Sequence, residues 1–292
     1  MKHLLVRIIK KIYHAENRYE PKQKPGEEPF GEHTLFRNVC YGTEYPNSFL
    51  DIYKSRKGDK APLLLFIHGG GFTWGSKEEG DPNAGKKHTD KDWFLKSFLE
   101  AGYDVAAFEY ALAPEYKYPT PILQLQQAVM FLQEHADEFA LDMERILLNG
   151  GSAGGNIAGQ YAAIQTNPDY AREMGMEQIL APGAIRCVLF NSALIDPTRY
   201  DVTHSGWFDY VLKKCGYAYY NEPVMENAAG ARQSDILPQV TKDYPPSFIS
   251  DANTGSFYDQ ARDLYFTLLN KGVEAELHIY PKEEASLFHG FE

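Results

Sequence analysis

Cysteine is scarce in this chain of 292 residues: there are three, Cys40, Cys187 and Cys215, far apart and with no CxxC pair. An odd, scattered set excludes a disulfide framework and a zinc knuckle, and fits free thiols in a reducing compartment. No run of roughly 18 apolar residues occurs, so no transmembrane helix is expected. Positive charge is also short. Lys and Arg number 29 against 40 Asp and Glu, a formal charge of −11 at pH 7, and that balance speaks against a nucleic-acid partner. The cations that exist gather at the start, where Lys2, Arg7, Lys10 and Lys11 all precede the first acid, Glu16. They interrupt the apolar core a secretory signal needs, so the cytoplasm is the expected location.

What is present is ordinary globular material, 43% hydrophobic and 24% charged, with an excess of Tyr (20) and Phe (17) that suits a large core or an aromatic-lined pocket. Leu5, Ile8, Ile9 and Ile12 recur at helical spacing. Residues 2–15 therefore read as a basic amphipathic helix that docks its apolar stripe on the main domain, with binding to a membrane surface as the second option. Residues 1–31 form this helix and a Pro/Gly/Glu-rich linker, and 32–292 form one α/β domain.

From Phe36 onward, β-type runs alternate with helical runs, the pattern of a mostly parallel sheet flanked by helices. Strands are expected at 36–41, 49–54, 62–68, 104–110, 145–149, 185–194, 247–250 and 275–280, and helices at 92–101, 121–139, 156–165 and 260–270. The aromatic-rich stretch 201–244 breaks the alternation and reads as a cap over a pocket. The last strand reads as a sheet edge, open to edge-to-edge pairing into a homodimer.

Two glycine clusters follow strands. Gly150-Gly151-Ser152-Ala153-Gly154 is a GxSxG pattern between a strand and a helix, the sharp elbow that exposes a nucleophilic serine. A phosphate loop would need a GK[ST] ending, which is absent. His68-Gly69-Gly70-Gly71-Phe72 follows the run Pro62–Ile67. Bare backbone N–H groups of Gly70, Gly71 and Ala153 suit an oxyanion hole, where one donor is worth about 3 kcal/mol. Trp74, Trp207, Phe208, Tyr217, Tyr219 and Tyr220 are candidate pocket aromatics, with core packing the alternative for each.

The strings His68–Phe72 (HGGGF), Gly151–Ala158 (GSAGGNIA), Tyr110–Glu115 (YALAPE) and His289-Gly290-Phe291 occur in one order over residues 60–291. Together they resemble the hormone-sensitive-lipase-like group of α/β-hydrolase esterases. The resemblance implies a serine carboxylesterase for short acyl chains and small-molecule esters, without metal or cofactor. It assigns Ser152 as nucleophile, His289 as base and His68 as a shaper of the oxyanion loop. The usual Arg after Tyr110 is Ala111 here. The usual acid, counted back without gaps, falls on Gly255, so Asp251 is the leading acid, with Asp196, Asn253 and Asp259 as alternatives. The family's closing helix after the HGF string has no counterpart, since only Glu292 follows Phe291, and His289 is accordingly expected on an unanchored, fraying tail. Two other readings stay open on the same fold: a deacetylase or peptidase, and a non-catalytic small-molecule binder, as plant gibberellin receptors are.

Overall fold

The run Pro62–Ile67 carries no polar side chain and alternates between two apolar environments. Leu63, Leu65 and Ile67 enter the larger core, and Leu64 enters a smaller one on the opposite face. A strand covered on both faces belongs at the centre of a parallel sheet, and the computed structural model places it there. The structure describes residues 2–56, 58, 60–78 and 92–291.

Among the described residues nine strands form one sheet: β1 (Gly26–Phe30), β2 (His33–Cys40), β3 (Phe49–Lys54), β4 (Ala61–Ile67), β5 (Asp104–Phe108), β6 (Leu141–Gly151), β7 (Ile185–Asn191), β8 (Ser247–Asp251) and β9 (Ala275–Ile279). Their order is β1-β2-β3-β5-β4-β6-β7-β8-β9. The pairs from β5/β4 through to β8/β9 are parallel, and the three on the β1 side are antiparallel. The helices are α1 (Leu4–Ile12), α2 (Asp92–Glu100), α3 (Thr120–Glu134), α4 (Ala153–Thr166), α5 (Pro168–Met174), α6 (Gly206–Tyr220), α7 (Ala229–Gln233) and α8 (Tyr258–Asn270). Among the described residues no helix is long and apolar enough to cross a membrane.

From β4 the chain moves to β5 on one side, then crosses back to β6 on the other. The loops leaving β4 and β6 diverge at this reversal, where open α/β sheets form their ligand crevice. The register Ile67↔Gly150 aligns the two strand ends and so sets the two glycine clusters side by side.

Two expectations change and a third gains detail. Residues 26–30, read as linker, form β1 and pair with β2. The stretch 201–244 contains α6 and α7, and the first of these roofs the crevice. The apolar stripe of α1 does not dock as a unit: Val6 and Lys10 are buried, while Ile8 and Ile12 are 47% and 61% exposed. The buried face is fixed by a polar anchor. Lys10 Nζ donates to the Ala113 carbonyl at 3.1 Å and pairs with the Glu115 carboxylate. An ammonium satisfied in this way tolerates burial and rotates the helix away from its hydrophobic stripe.

Candidate active site

The elbow is built by backbone conformation. Ser152 sits at φ 52°, ψ −117°, between the end of β6 and the first turn of α4. A non-glycine residue in this region is strained and needs surroundings that enforce it. Ser152 N donates to the Asn191 carbonyl at 3.0 Å, and its own carbonyl accepts from Leu194 N at 3.1 Å. The end of β7 and the loop after it thus clamp both sides of Ser152. The glycine at 154 is a packing requirement: a Cβ there would stand 2.2 Å from the Ile67 carbonyl oxygen.

The loop after β4 crosses directly above. A Cβ on Gly69 would lie 2.9 Å from Gly151 O and 3.5 Å from Ser152 Cβ. Gly70 has φ 96°, and a Cβ there would meet the Trp74 carbonyl oxygen at 2.2 Å. Its carbonyl accepts from Thr73 N and Trp74 N, both at 3.0 Å, which curls the loop. His68 holds the base of this loop. Its ring stacks on Tyr110 at 4.1 Å, and Nδ1 donates to the Gly69 carbonyl at 2.8 Å. Nε2 lies 3.3 Å from Glu109. Burial opposes the charge on the Glu109 carboxylate, but His68 and the Lys77 N–H outweigh it and hold the pKa below the ordinary value. Beneath, Lys77 Nζ donates to Asp51 at 2.6 Å.

One cavity of about 760 Å³ is lined by Gly69, Gly70, Gly71, Trp74, Ser152, Phe208, Leu212 and His289, among others. The chosen Ser, His, oxyanion glycines, Trp74 and Phe208 therefore share one space, and Ala153 is buried beside Ser152 as the first residue of α4. Trp207 differs from the expectation: it is 72% exposed and is not among the residues that line the cavity. It lies on the outer side of α6, whereas Phe208 and Leu212, one turn apart, face inward. Tyr219 is buried against Phe72 at 3.9 Å, and Tyr217 packs on His3.

His289 is reached across side chains. His289 Nδ1 and Ser256 Oγ are 2.8 Å apart, and Ser256 Oγ in turn donates to Asp251 Oδ1. Phe208 and Phe257 flank the imidazole at 5.1 and 5.2 Å, and this burial pushes its pKa down to about 4. Among the described residues no hydrogen bond joins Ser152 Oγ to His289.

The other acid candidates are engaged elsewhere. Asp196 accepts from Thr198 and from Arg199 Nε at 2.7 Å, and Asp259 pairs with His204 at 2.7 Å. Asn253 serves as a latch. Its amide donates to the Tyr280 and Ala285 carbonyls at 3.0 and 2.7 Å, and its oxygen accepts from Leu287 N at 3.0 Å. Thr254 N donates to the Leu287 carbonyl, and Gly290 N donates to Ser192 Oγ. The segment that carries His289 is thus tethered on both sides, in contrast to the fraying expected of it. Sequence reasoning missed Ser256. A serine five positions after an aspartate carries no signal until the loop after β8 folds back.

Against known proteins, the BD-FAE family model matches residues 50–267. Esterase LipI of Mycobacterium tuberculosis is 28% identical over 239 residues, 80% of this chain and 66% of that protein. An acetyl esterase of Salmonella schwarzengrund is 26% identical over 262 residues, 87% of this chain and 73% of that protein. The chain spans between 43% and 66% of the length of three curated relatives, LipI included. Among solved structures, esterase B of Lactobacillus rhamnosis superposes with a TM-score of 0.71 at 18% identity, covering 98% of this chain and 84% of that one. That likeness gives the α/β-hydrolase fold, and the family match over most of the sheet gives the lineage: the chain belongs to the BD-FAE family, within the hormone-sensitive-lipase-like hydrolases.

Proposed function

We propose that the protein hydrolyses short-chain carboxylic esters of small molecules through an acyl-enzyme on Ser152. The observation that carries this is the convergence of a strained elbow serine, a glycine loop and a histidine on one cavity. The relatives' names, acetyl esterase and ethyl acetate hydrolase, support short acyl groups.

Each group has a separate task. His289 Nε2 takes the Ser152 proton as Oγ attacks the ester carbonyl. Charge that develops on the carbonyl oxygen meets the N–H groups of Gly70, Gly71 and Ala153, which need no reorganisation at that moment. The imidazolium then protonates the leaving alcohol, and water hydrolyses the acyl-serine by the same route. Asp251 is the acid that stabilises the imidazolium. Trp74 and Phe208 give the pocket apolar walls.

A fluorophosphonate probe should label Ser152, and p-nitrophenyl acetate should turn over faster than with the Ser152→Ala variant. Absence of both would leave a non-catalytic binder on this fold.

A further inference from the structure

We propose that Ser256 is a positioning residue that carries the influence of Asp251 to His289, a hydroxyl relay in place of direct acid–base contact. Ser256 is 1% exposed and Asp251 is fully buried. Ser256 has one proton, and it goes to Asp251 Oδ1. Towards His289 the hydroxyl can therefore only accept, so Nδ1 must carry a hydrogen. That assignment leaves Nε2 with its lone pair, the form a base facing Ser152 requires.

The loop geometry accounts for the extra residue. β8 ends at Asp251, one strand inside the sheet edge, and its carboxylate stays buried beneath the loop. Position 255, to which the family register points, is a glycine at φ 57°. Ser256, the next residue, fills the gap between carboxylate and ring. When Nε2 takes the proton of Ser152, the imidazolium keeps its Nδ1–H on Ser256 Oγ, whose own hydrogen stays on Asp251. No proton leaves the chain of three, and the carboxylate stabilises the cation through a polarised hydroxyl. The inference rests on the hydrolase reading only for its kinetic consequence; the tautomer it fixes does not depend on turnover.

Two readouts separate these. In the resting protein, NMR of ¹⁵N-histidine should show His289 with its hydrogen on Nδ1, and Ser256→Ala should release that tautomer. Wild-type protein with the hydrogen on Nε2, or no change in Ser256→Ala, overturns the relay whether or not the protein is an esterase. In p-nitrophenyl acetate hydrolysis, Ser256→Ala should lower kcat about 100-fold with KM little changed, and Ser256→Thr, which keeps the hydroxyl, should recover most of it. Ser256→Ala combined with Asp251→Asn should be no worse than the poorer single variant, because both cut one chain. Full activity in Ser256→Ala, a Thr variant as poor as Ala, or additive losses would each overturn the proposal. Should Ser256→Ala fail to fold, Ser256→Cys keeps the volume with a weaker donor and should fold yet lose most of kcat. Failure of the hydrolase reading looks different: no probe labelling in wild type, with the tautomer intact.

Discussion

Ser152 follows a strand with neighbours on both sides, whereas His289 follows a stretch, residues 281–286, in which every residue is exposed. The first is held by backbone: a strained dihedral, strand register and glycines that a Cβ would not fit. The second is held mainly by side chains, the Asn253 amide, the Ser256 hydroxyl and two phenyl rings, with one backbone bond from Thr254 N to the Leu287 carbonyl. Backbone-held geometry fails only when the sheet fails. Side-chain-held geometry can be lost by one substitution while the fold survives. The comparison therefore predicts two kinds of damage.

The largest effect is chemical. Ser152→Ala should remove essentially all turnover, by about 10⁶-fold on the precedent of serine hydrolases, with the circular dichroism spectrum unchanged. Gly70→Ala comes next and should damage fold and rate together. Its Cβ collides with the Trp74 carbonyl, so about 2 kcal/mol of stability and about 10²-fold in kcat should go. A thermal melt and a rate measurement on the same sample check this, and a normal melt with a normal rate would break the account of the nucleophile half. On the base half, Asn253→Ala should cost kcat about tenfold, near 1.4 kcal/mol, while the melting temperature hardly moves. If the melt falls as much as for Gly70→Ala, the two halves are not held differently.

The pH profile sharpens the same contrast. Burial lowers the His289 pKa from 6.5 to about 4, so the ring stays neutral, and competent as a base, well below pH 6.5. The acid limb of kcat/KM should then fall with an apparent pKa near 4. The stability sign is fixed too. A histidine kept neutral by folding binds fewer protons than in the unfolded chain, so stability drops as pH falls from the unfolded value towards the folded one. An acid limb near 6.5 would mean an open, wet base. The smallest effect concerns α1: Ile12→Ser should change stability by less than about 0.5 kcal/mol, whereas Val6→Ala should cost about 1 kcal/mol, measured by denaturant midpoint.

Most of the scaffold was legible because period and punctuation agree. The continuous run at 62–67 and the Gly102 and Gly272 stops mark their elements with local signals that the packing reinforces. The stretch 206–220 was not read as a helix, since it is apolar on several sides and lacks a clear stripe. Strand β1 hid behind Pro29 and two glutamates, which an edge strand tolerates. In the site, the two glycine clusters announced themselves, because backbone demands write directly into sequence as glycine. The acid did not. Its position depends on how the loop after β8 returns to meet residues 280–290, a long-range contact with no local signature. The docking face of α1 was misread for a related reason: Lys10 finds its partners, Ala113 and Glu115, about a hundred residues away.

Helix α6 enters between β7 and β8, where the chain is already outside the sheet. Its inward residues, Phe208 and Leu212, touch the cavity without taking part in strand pairing. The face of α6 that meets the cavity thus lies outside the sheet, while Tyr219 at its other end packs on Phe72 of the loop after β4. Positions 208 and 212 could therefore vary across descendants while the register between β4 and β6 stayed untouched, and one site could in this way be offered to groups of many shapes.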